Sequence, residues 1–440
     1  MKRLDTNLAE QFAHSIAQTQ EDRDVVQLSF GIDGNSIFRT AQLGAISHRT
    51  CLQVSSESQD LVTQLDLGLD AVFDLAWLKC GQTLSVPTSS KVLTAVDLFC
   101  GVGGISFGLQ EAVGALGMGL EVVLANDVMA SALSTFKENH PTRFLSNVSV
   151  EELFDGSFGS ELSETEAQVV SQVGAVDILV GGPPCQGHSD LNNHTRRNDP
   201  KNELYWKMAR AAEVLKPKVV LIENVPGARH DKTGVVLRTE EALSSLGYHL
   251  QRISLNAVDF GVAQSRKRFF LLATKSLLPA ERIIRLSTSK RPLRWAIEDL
   301  LHGYDSGSTF DSSATHSATN QRRIDYLFEN QLFELPDSER PDCHRLKPHS
   351  YNSVYGRMRW DAPAPTITGG FGSTGQGRFV HPICRRTLTP HEAARVQFFP
   401  DHFQFVNDKR RELQQTIGNA VPPKIGYVIG LAVLPLLLID

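Results

Sequence analysis

The chain is poor in several features that would place it in a special class. It has six cysteines in 440 residues, and none of Cys51, Cys80, Cys100, Cys185, Cys343 and Cys384 forms a C-x-x-C pair. A zinc site is therefore not expected, and no other metal site is indicated. So few thiols fit a reduced, cytosolic setting better than a disulfide scaffold. Long apolar runs are also missing. The longest, Ile425 to Ile439, has 15 residues and contains Pro435, whereas a membrane span needs about 20. It reads as a buried C-terminal helix. The opening MKRLDTNLAEQF lacks the apolar core of a signal peptide, and no long internal repeat is visible. A net charge of −5 argues against a generally basic nucleic-acid coat protein.

What remains is ordinary globular composition, 41% hydrophobic and 21% charged, in a length that suits two or three domains. The charge is unevenly placed. Residues 1–90 hold 6 Lys+Arg against 11 Asp+Glu, while the rest balance at 38 each. A nucleic-acid surface beyond residue 90 is compatible with that balance.

Residues 1–90 read as a small α+β extension. A helix is predicted over Asn7–Gln20, and short strands over Val25–Phe30 and Ser36–Thr40 around the turn Asp33-Gly34. Gly81–Ser90 reads as a linker. From Lys91 strands alternate with helices, the mark of a doubly wound, mostly parallel α/β sheet. Strands are predicted at Val92–Phe99, Val122–Ala125, Val176–Val180, Val219–Glu223 and Phe269–Ala273, and helices near Ile105–Val113, Ala130–Asn139 and Leu204–Leu215. Residues 276–384 are irregular and carry Arg291, Arg294, Arg322, Arg323, Arg357, Arg359 and Arg378; residues 385–440 return to helical spacing. The expected domains are thus 1–90, 91–275, 276–384 and 385–440.

Four segments carry chemistry. Asp97-Leu98-Phe99-Cys100-Gly101-Val102-Gly103-Gly104 runs from a strand through three glycines into a helix, a turn that lets a ligand approach the backbone or one that is simply tight. Asp127, after the second strand, can hold ribose hydroxyls or cap the next helix. Gly182-Pro183-Pro184-Cys185-Gln186-Gly187 places a thiol at the carboxyl edge of the sheet, where it is either a nucleophile or a buried structural thiol. Glu223 ends an apolar strand at the same edge. Burial there raises a carboxyl pKa and suits it to acid chemistry, with a capping or salt-bridged glutamate as the alternative. Gln264, Arg266 and Arg268 fall on one side of an extended segment and can orient a carboxylate or grip a phosphate.

Taken together, DLFCGVGG (97–104), GGPPCQGHS (181–189), ENV (223–225), QSRKR (264–268), RTLTPHEAARVQFFP (386–400) and QTIGNAVPP (415–423) resemble the DNA (cytosine-5)-methyltransferase family of bacterial restriction–modification systems. The resemblance covers most of Lys91–Gly430. It implies a sequence-specific enzyme using S-adenosyl-L-methionine on double-stranded DNA. Cys185 then matches the nucleophile that adds to carbon 6 of a flipped-out cytosine, and Glu223 the acid that holds the base. Arg266 and Arg268 match arginines that support the glutamate and contact the target nucleotide. The implied cofactor set is Phe99, Gly101, Gly103, Gly104, Ile105, Asp127, Val128, Asn147, Pro184, Leu204 and Asn419. Val128 stands where an aromatic is common, and Asn147 where an acid is. Gln186 to Asn202 would form a closing loop, with Gln186, Ser189, Arg196, Arg197 and Gln264 expected to contact DNA. Residues 276–384 would be the target-recognition domain, with 359–368 returning to the core. The resemblance further implies a monomeric, cytoplasmic, nucleoid-associated enzyme, with a cognate restriction endonuclease as a candidate partner. Competing readings are a tRNA cytosine-5 methyltransferase, which usually lacks so large an arginine-rich insert, and a non-catalytic DNA-binding relative, which would have a damaged nucleophile, acid or glycine turn. A nucleotide-dependent oxidoreductase is disfavoured by the glycine spacing, because Ser106 stands where a third glycine would be.

Overall fold

The structure, a computed structural model, describes residues 25–82, 91–184, 203–227, 234–278, 281–303, 305, 307–346, 353–406 and 409–438. The predicted helix Asn7–Gln20 and the nucleophile segment from Cys185 onward lie outside them.

The N-terminal unit is an antiparallel meander of β1 (Gln27–Asp33), β2 (Ser36–Leu43) and β3 (Ile46–Gln53), followed by helices Ser56–Gln64 and Leu69–Leu78. Asp33 pairs with Ser36, so Gly34 and Asn35 form the tight connection, and Gly34 adopts the positive φ such a turn demands. The sequence reading found two strands here. The third was hidden because His48, Arg49 and Thr50 break the apolar signal.

The main sheet has seven strands. They are β4 (Val92–Leu98), β5 (Gly119–Asn126), β6 (Thr142–Ser146), β7 (Ile178–Gly181), β8 (Val219–Asn224), β9 (His249–Asn256) and β10 (Lys267–Thr274), in the order β6-β5-β4-β7-β8-β10-β9. The first five run parallel, whereas β10 is antiparallel to both β8 and β9. β7 is buried along its whole length and β8 at all but Glu223, as expected of strands covered on both faces. β6 and β9 were not anticipated; their partly exposed, polar-rich sequences read as connections. The chain winds outward from β4 in both directions. That makes the carboxyl ends of β4, β5 and β7 the crevice where ligands gather in such sheets.

The C-terminal run forms helix Pro423–Leu438, buried almost throughout. By length and composition 410–438 could cross a membrane, but 83% of its most apolar window is buried inside the protein. It packs on helix Gly104–Ala115 at backbone contact: a side chain at Gly108 would strike the Pro423 carbonyl oxygen at 2.0 Å.

Domain limits differ from the linear division. Residues of the N-terminal unit, from Val26 to Leu78, belong to the same continuous core as the catalytic helices. Leu278, Leu293, Trp295 and Ile297 also lie in that core, although they fall beyond residue 276. A separate small core is formed by Ile324, Leu327, Leu335, Val354, Tyr355 and Val380. The chain rejoins the main body where Ala364 pairs with Gln264, within the predicted return segment 359–368.

Candidate active site

Strand β4 delivers the glycine turn. Phe99, just past its end, has φ of +57°, a left-handed conformation that costs a bulky residue about 1–3 kcal/mol. The glycines that follow serve different ends. A side chain at Gly103 would meet the His140 ring at 2.2 Å, and one at Gly104 the Val421 carbonyl at 2.1 Å, so both are small because the body packs against them. Gly101, at φ of +56°, has nothing within 4 Å of where a side chain would begin. It faces open space, and its N–H donates to Asp127 Oδ2 at 2.8 Å.

Asp127 follows β5 at the neighbouring strand end. Its other oxygen accepts from the Met129 N–H at 2.8 Å, which fixes the turn before helix Ala130–Asn139; the N-cap itself is Met129, so Asp127 does not cap that helix. Burial raises its pKa, opposed by those two N–H groups. Asn147 donates to the Asp127 carbonyl at 2.8 Å, which fixes the backbone of that turn and leaves the residue itself exposed. Val128 is 70% exposed beside it. Phe99 and Leu204 are partly buried against the second core, Ile105 is buried in the main one, and Pro184 is half-buried just beyond β7. Asn419 is exposed at the end of helix Arg410–Asn419.

Glu223 occupies the penultimate position of β8, opposite Phe270 of β10. Arg268, two residues back on β10, reaches its carboxylate with Nε–Oε1 at 2.8 Å. Burial pushes the Glu223 pKa up; Arg268 and then Arg266 pull it down, and burial prevails. A side chain at Gly182 would stand 3.4 Å from Glu223 Oε2, so the Gly-Gly-Pro-Pro strand end lies against the acid.

The two arginines divide their work. Arg266 is 1% exposed, and its guanidinium donates to the carbonyls of Ile367 at 2.6 Å, Gly418 at 3.1 Å and Asn419 at 3.4 Å. It holds the backbone that presents Asn419 and is too deeply buried to touch a nucleotide in this conformation. Gln264 requires a correction of the same kind. It is fully buried, donates to Gln397 Oε1 at 2.8 Å, and accepts from the Ile367 N–H at 2.7 Å. Its expected DNA contact is not available from there; an amide with both ends paired inside the protein has no group left to offer.

Some residues were missed from sequence. Gln397 donates to the Ile417 carbonyl at 2.6 Å and completes the buried link to the Gly-Asn turn. Asp97 was not anticipated as a site residue. It is 3% exposed, accepts from the Ser106 hydroxyl at 2.5 Å, and is pushed up to about 7 by burial and by the nearby charge of Asp127. The Tyr205 hydroxyl is buried without a hydrogen-bond partner among the described residues, and burial together with the charges of Glu240 and Glu223 raises its pKa. Asp97 was findable as the one charge inside an apolar strand; Tyr205 and Gln397 carried no such mark. Cys185, Gln186, Ser189, Arg196 and Arg197 lie outside the described residues. Among the described residues no group of three or more His, Cys, Asp or Glu side chains could hold a metal.

The sheet is that of a doubly wound α/β protein, with the glycine turn, Asp127 and Glu223 gathered at the carboxyl ends of its parallel strands. Residues 93–434 match the model of the C-5 cytosine-specific DNA methylases. The chain is 47% identical to type II methyltransferase M1.BsuMI of Bacillus subtilis over 92% of its own length and 94% of that protein. That share of the chain exceeds what residues 93–434 alone supply, so the likeness extends into the N-terminal unit. It is 32% identical to type II methylase M.HgiDII of Herpetosiphon aurantiacus over 76% of the chain and 93% of the relative. Two solved structures share the fold at 17% identity. The S. pombe Dnmt2 methyltransferase has a TM-score of 0.55, over 78% of this chain and 99% of that one. The Entamoeba histolytica methyltransferase EhMeth has 0.53, over 79% and 99%. The chain belongs to the C-5 cytosine-specific DNA methylase family, and its activity is DNA cytosine-5 methylation.

Proposed function

We propose that the enzyme draws its methyl group from S-adenosyl-L-methionine and that Cys185 and Glu223 carry the chemistry on a cytosine flipped out of duplex DNA. The observation that supports this most is the pairing of an open glycine turn beside a carboxylate with a partly buried, arginine-paired acid at the same sheet edge. The residues fit the cofactor. Open space at Gly101 admits a ligand against the backbone, Asp127 offers a carboxylate for ribose hydroxyls, and Phe99, Leu204, Pro184 and Val128 offer apolar walls. When bound, the cofactor supplies an electrophilic methyl group.

The chain's own groups do the rest. A base stacked in a duplex cannot be reached, so the target must leave the stack. Cys185 comes directly after Pro184, four residues past the end of β7, and its thiolate adds to carbon 6. That turns carbon 5 into a nucleophile. Burial raises the pKa of Glu223 and so favours its sharing a proton with N3 of the base, while Arg268 fixes its orientation. After methylation, loss of the carbon 5 proton expels the thiol and restores the aromatic ring. Arg266 shapes the cofactor wall through Asn419. Sequence recognition falls to the arginine-rich segment within 276–384, through phosphate and base edges. A cytoplasmic monomer acting on the nucleoid, alongside a cognate restriction endonuclease, completes the proposal.

The test is Cys185→Ala. Methyl transfer to DNA should vanish while S-adenosyl-L-methionine still binds. Transfer that persists in this variant overturns the role of Cys185.

A further inference from the structure

The N-terminal unit is attached in an unusual way. Asp74, on helix Leu69–Leu78, is 5% exposed. Its carboxylate takes Lys424 Nζ at 2.7 and 2.8 Å and Arg291 Nη1 at 2.7 Å. One turn further along, Trp77 donates its indole N–H to Glu111 Oε2 at 3.1 Å and stacks on Phe398 with ring centres 5.5 Å apart. Arg39 on β2 donates to the Tyr427 hydroxyl at 3.0 Å. Arg39, Asp74, Trp77, Glu111, Lys424 and Tyr427 are among the residues that line a small cavity of about 20 Å³.

These ties converge on one helix pair. Glu111 belongs to helix Gly104–Ala115, which starts at the glycine turn, and Lys424 and Tyr427 belong to helix Pro423–Leu438, which starts just after Asn419. The two helices meet with almost no side chain between them. A side chain at Gly426 would strike the Ile105 carbonyl at 2.5 Å, and one at Gly430 the Ala112 methyl at 2.6 Å. Elements packed this tightly transmit displacement instead of absorbing it. At their leading ends stand Gly101 and Asn419, two walls of the cofactor crevice.

Buried ion pairs rarely add net adhesion, because removing charge from water offsets most of the attraction; apolar residues would hold the unit in place equally well. What such pairs supply is a fixed geometry. We infer that Asp74 and Trp77 are positioning residues for the cofactor half of the active site. They grip both helices of the pair, set the spacing between the Gly101 turn and Asn419, and thereby set cofactor affinity without touching the cofactor. The inference rests on the S-adenosyl-L-methionine reading above.

The test titrates the full-length protein calorimetrically with S-adenosyl-L-methionine and, separately, measures steady-state kinetics. Trp77→Phe keeps an aromatic ring against Phe398 but loses the pyrrole half of the indole with its N–H. Lys424→Met loses one tie but leaves Asp74 neutralised by Arg291. Val62→Ala, at a position 1% exposed on helix Ser56–Gln64, loosens the unit without touching the ties. Each tie variant should weaken cofactor binding about threefold and the pair together about tenfold. KM for the cofactor should rise in step, with kcat at saturating cofactor and KM for DNA within about twofold of wild type. Val62→Ala should lower Tm at least as much and leave cofactor affinity unchanged. Tie variants that are folded and bind like wild type overturn the inference, as does Val62→Ala weakening binding equally. Wild-type protein that binds no S-adenosyl-L-methionine would instead overturn the cofactor reading itself.

Discussion

The N-terminal unit and the segment around helix Ala318–Glu329 both lie outside the seven-stranded sheet, but they are attached in opposite ways. The first shares one continuous core with the catalytic helices and is pinned by buried charge at Asp74. The second has its own small core around Ile324 and Leu327, and it turns exposed arginines outward, among them Arg322, Arg359 and Arg385. Arg359 lies over the Phe333 ring at 4.2 Å, so even an exposed guanidinium is held flat and presented. The difference separates two jobs. On the roles proposed above, the part that holds the active site in register shares its core, while the part that reads DNA has its own packing. The acidic balance of residues 1–90 agrees with the first role, and the arginines with the second.

Four changes would break or sharpen that contrast. Asp74→Ala should have the largest effect. It leaves Lys424 and Arg291 buried without their shared carboxylate, which should cost about 3–5 kcal/mol, and the whole unfolding transition should move, as read by chemical denaturation. Leu327→Ala, 1% exposed in the small core, should cost about 2–4 kcal/mol, but locally. Hydrogen exchange should speed up in helix Ala318–Glu329 and DNA affinity should fall, while the main transition and cofactor binding stay in place. If Leu327→Ala shifts the main transition as Asp74→Ala does, the two regions are not attached differently.

Asp97→Asn probes the cofactor side through pH. The buried carboxyl keeps its proton up to about 7, against 3.8 when unfolded. Its contribution to stability is therefore fully present below 3.8 and is lost as pH rises to about 7. The amide still accepts from Ser106 and does not ionise. The Tm of the variant relative to wild type should thus rise steadily across that window and level off above it. A flat difference would mean Asp97 is ionised and satisfied in the folded state. Arg359→Ala should have the smallest effect on stability, within about 1 kcal/mol, yet it should weaken DNA binding and make it less sensitive to salt.

Much of the parallel sheet was legible in the sequence because β4, β5, β7 and β8 are buried and read as apolar runs ended by Gly, Asn or Glu. β3, β6 and β9 were not, since a half-exposed edge strand carries polar residues that mimic a connection. The site was legible to the same depth. Asp127 and Glu223 stand at strand ends, where sequence can place them. Gln264 and Arg266 could not be placed, because alternation gives the side of a segment but not whether another part of the chain covers that side. Here residues 364–367 and 417–420 cover it, more than 100 positions away in the chain. How the N-terminal unit is tied to the rest was not legible for a related reason. Composition marked a linker at 81–90, but the contacts of Asp74 and Trp77 are with partners as distant as Lys424.

The most direct test of the account supplies methyl-labelled S-adenosyl-L-methionine to wild type, Cys185→Ala and Glu223→Gln. Mixed-sequence duplex DNA and total tRNA are offered side by side, and the DNA products are read by bisulfite sequencing. The account predicts label at cytosine carbon 5 within one short DNA sequence for wild type, severe slowing at that same sequence for Glu223→Gln, and none for Cys185→Ala. Label confined to tRNA, or unchanged transfer by Cys185→Ala, would contradict it.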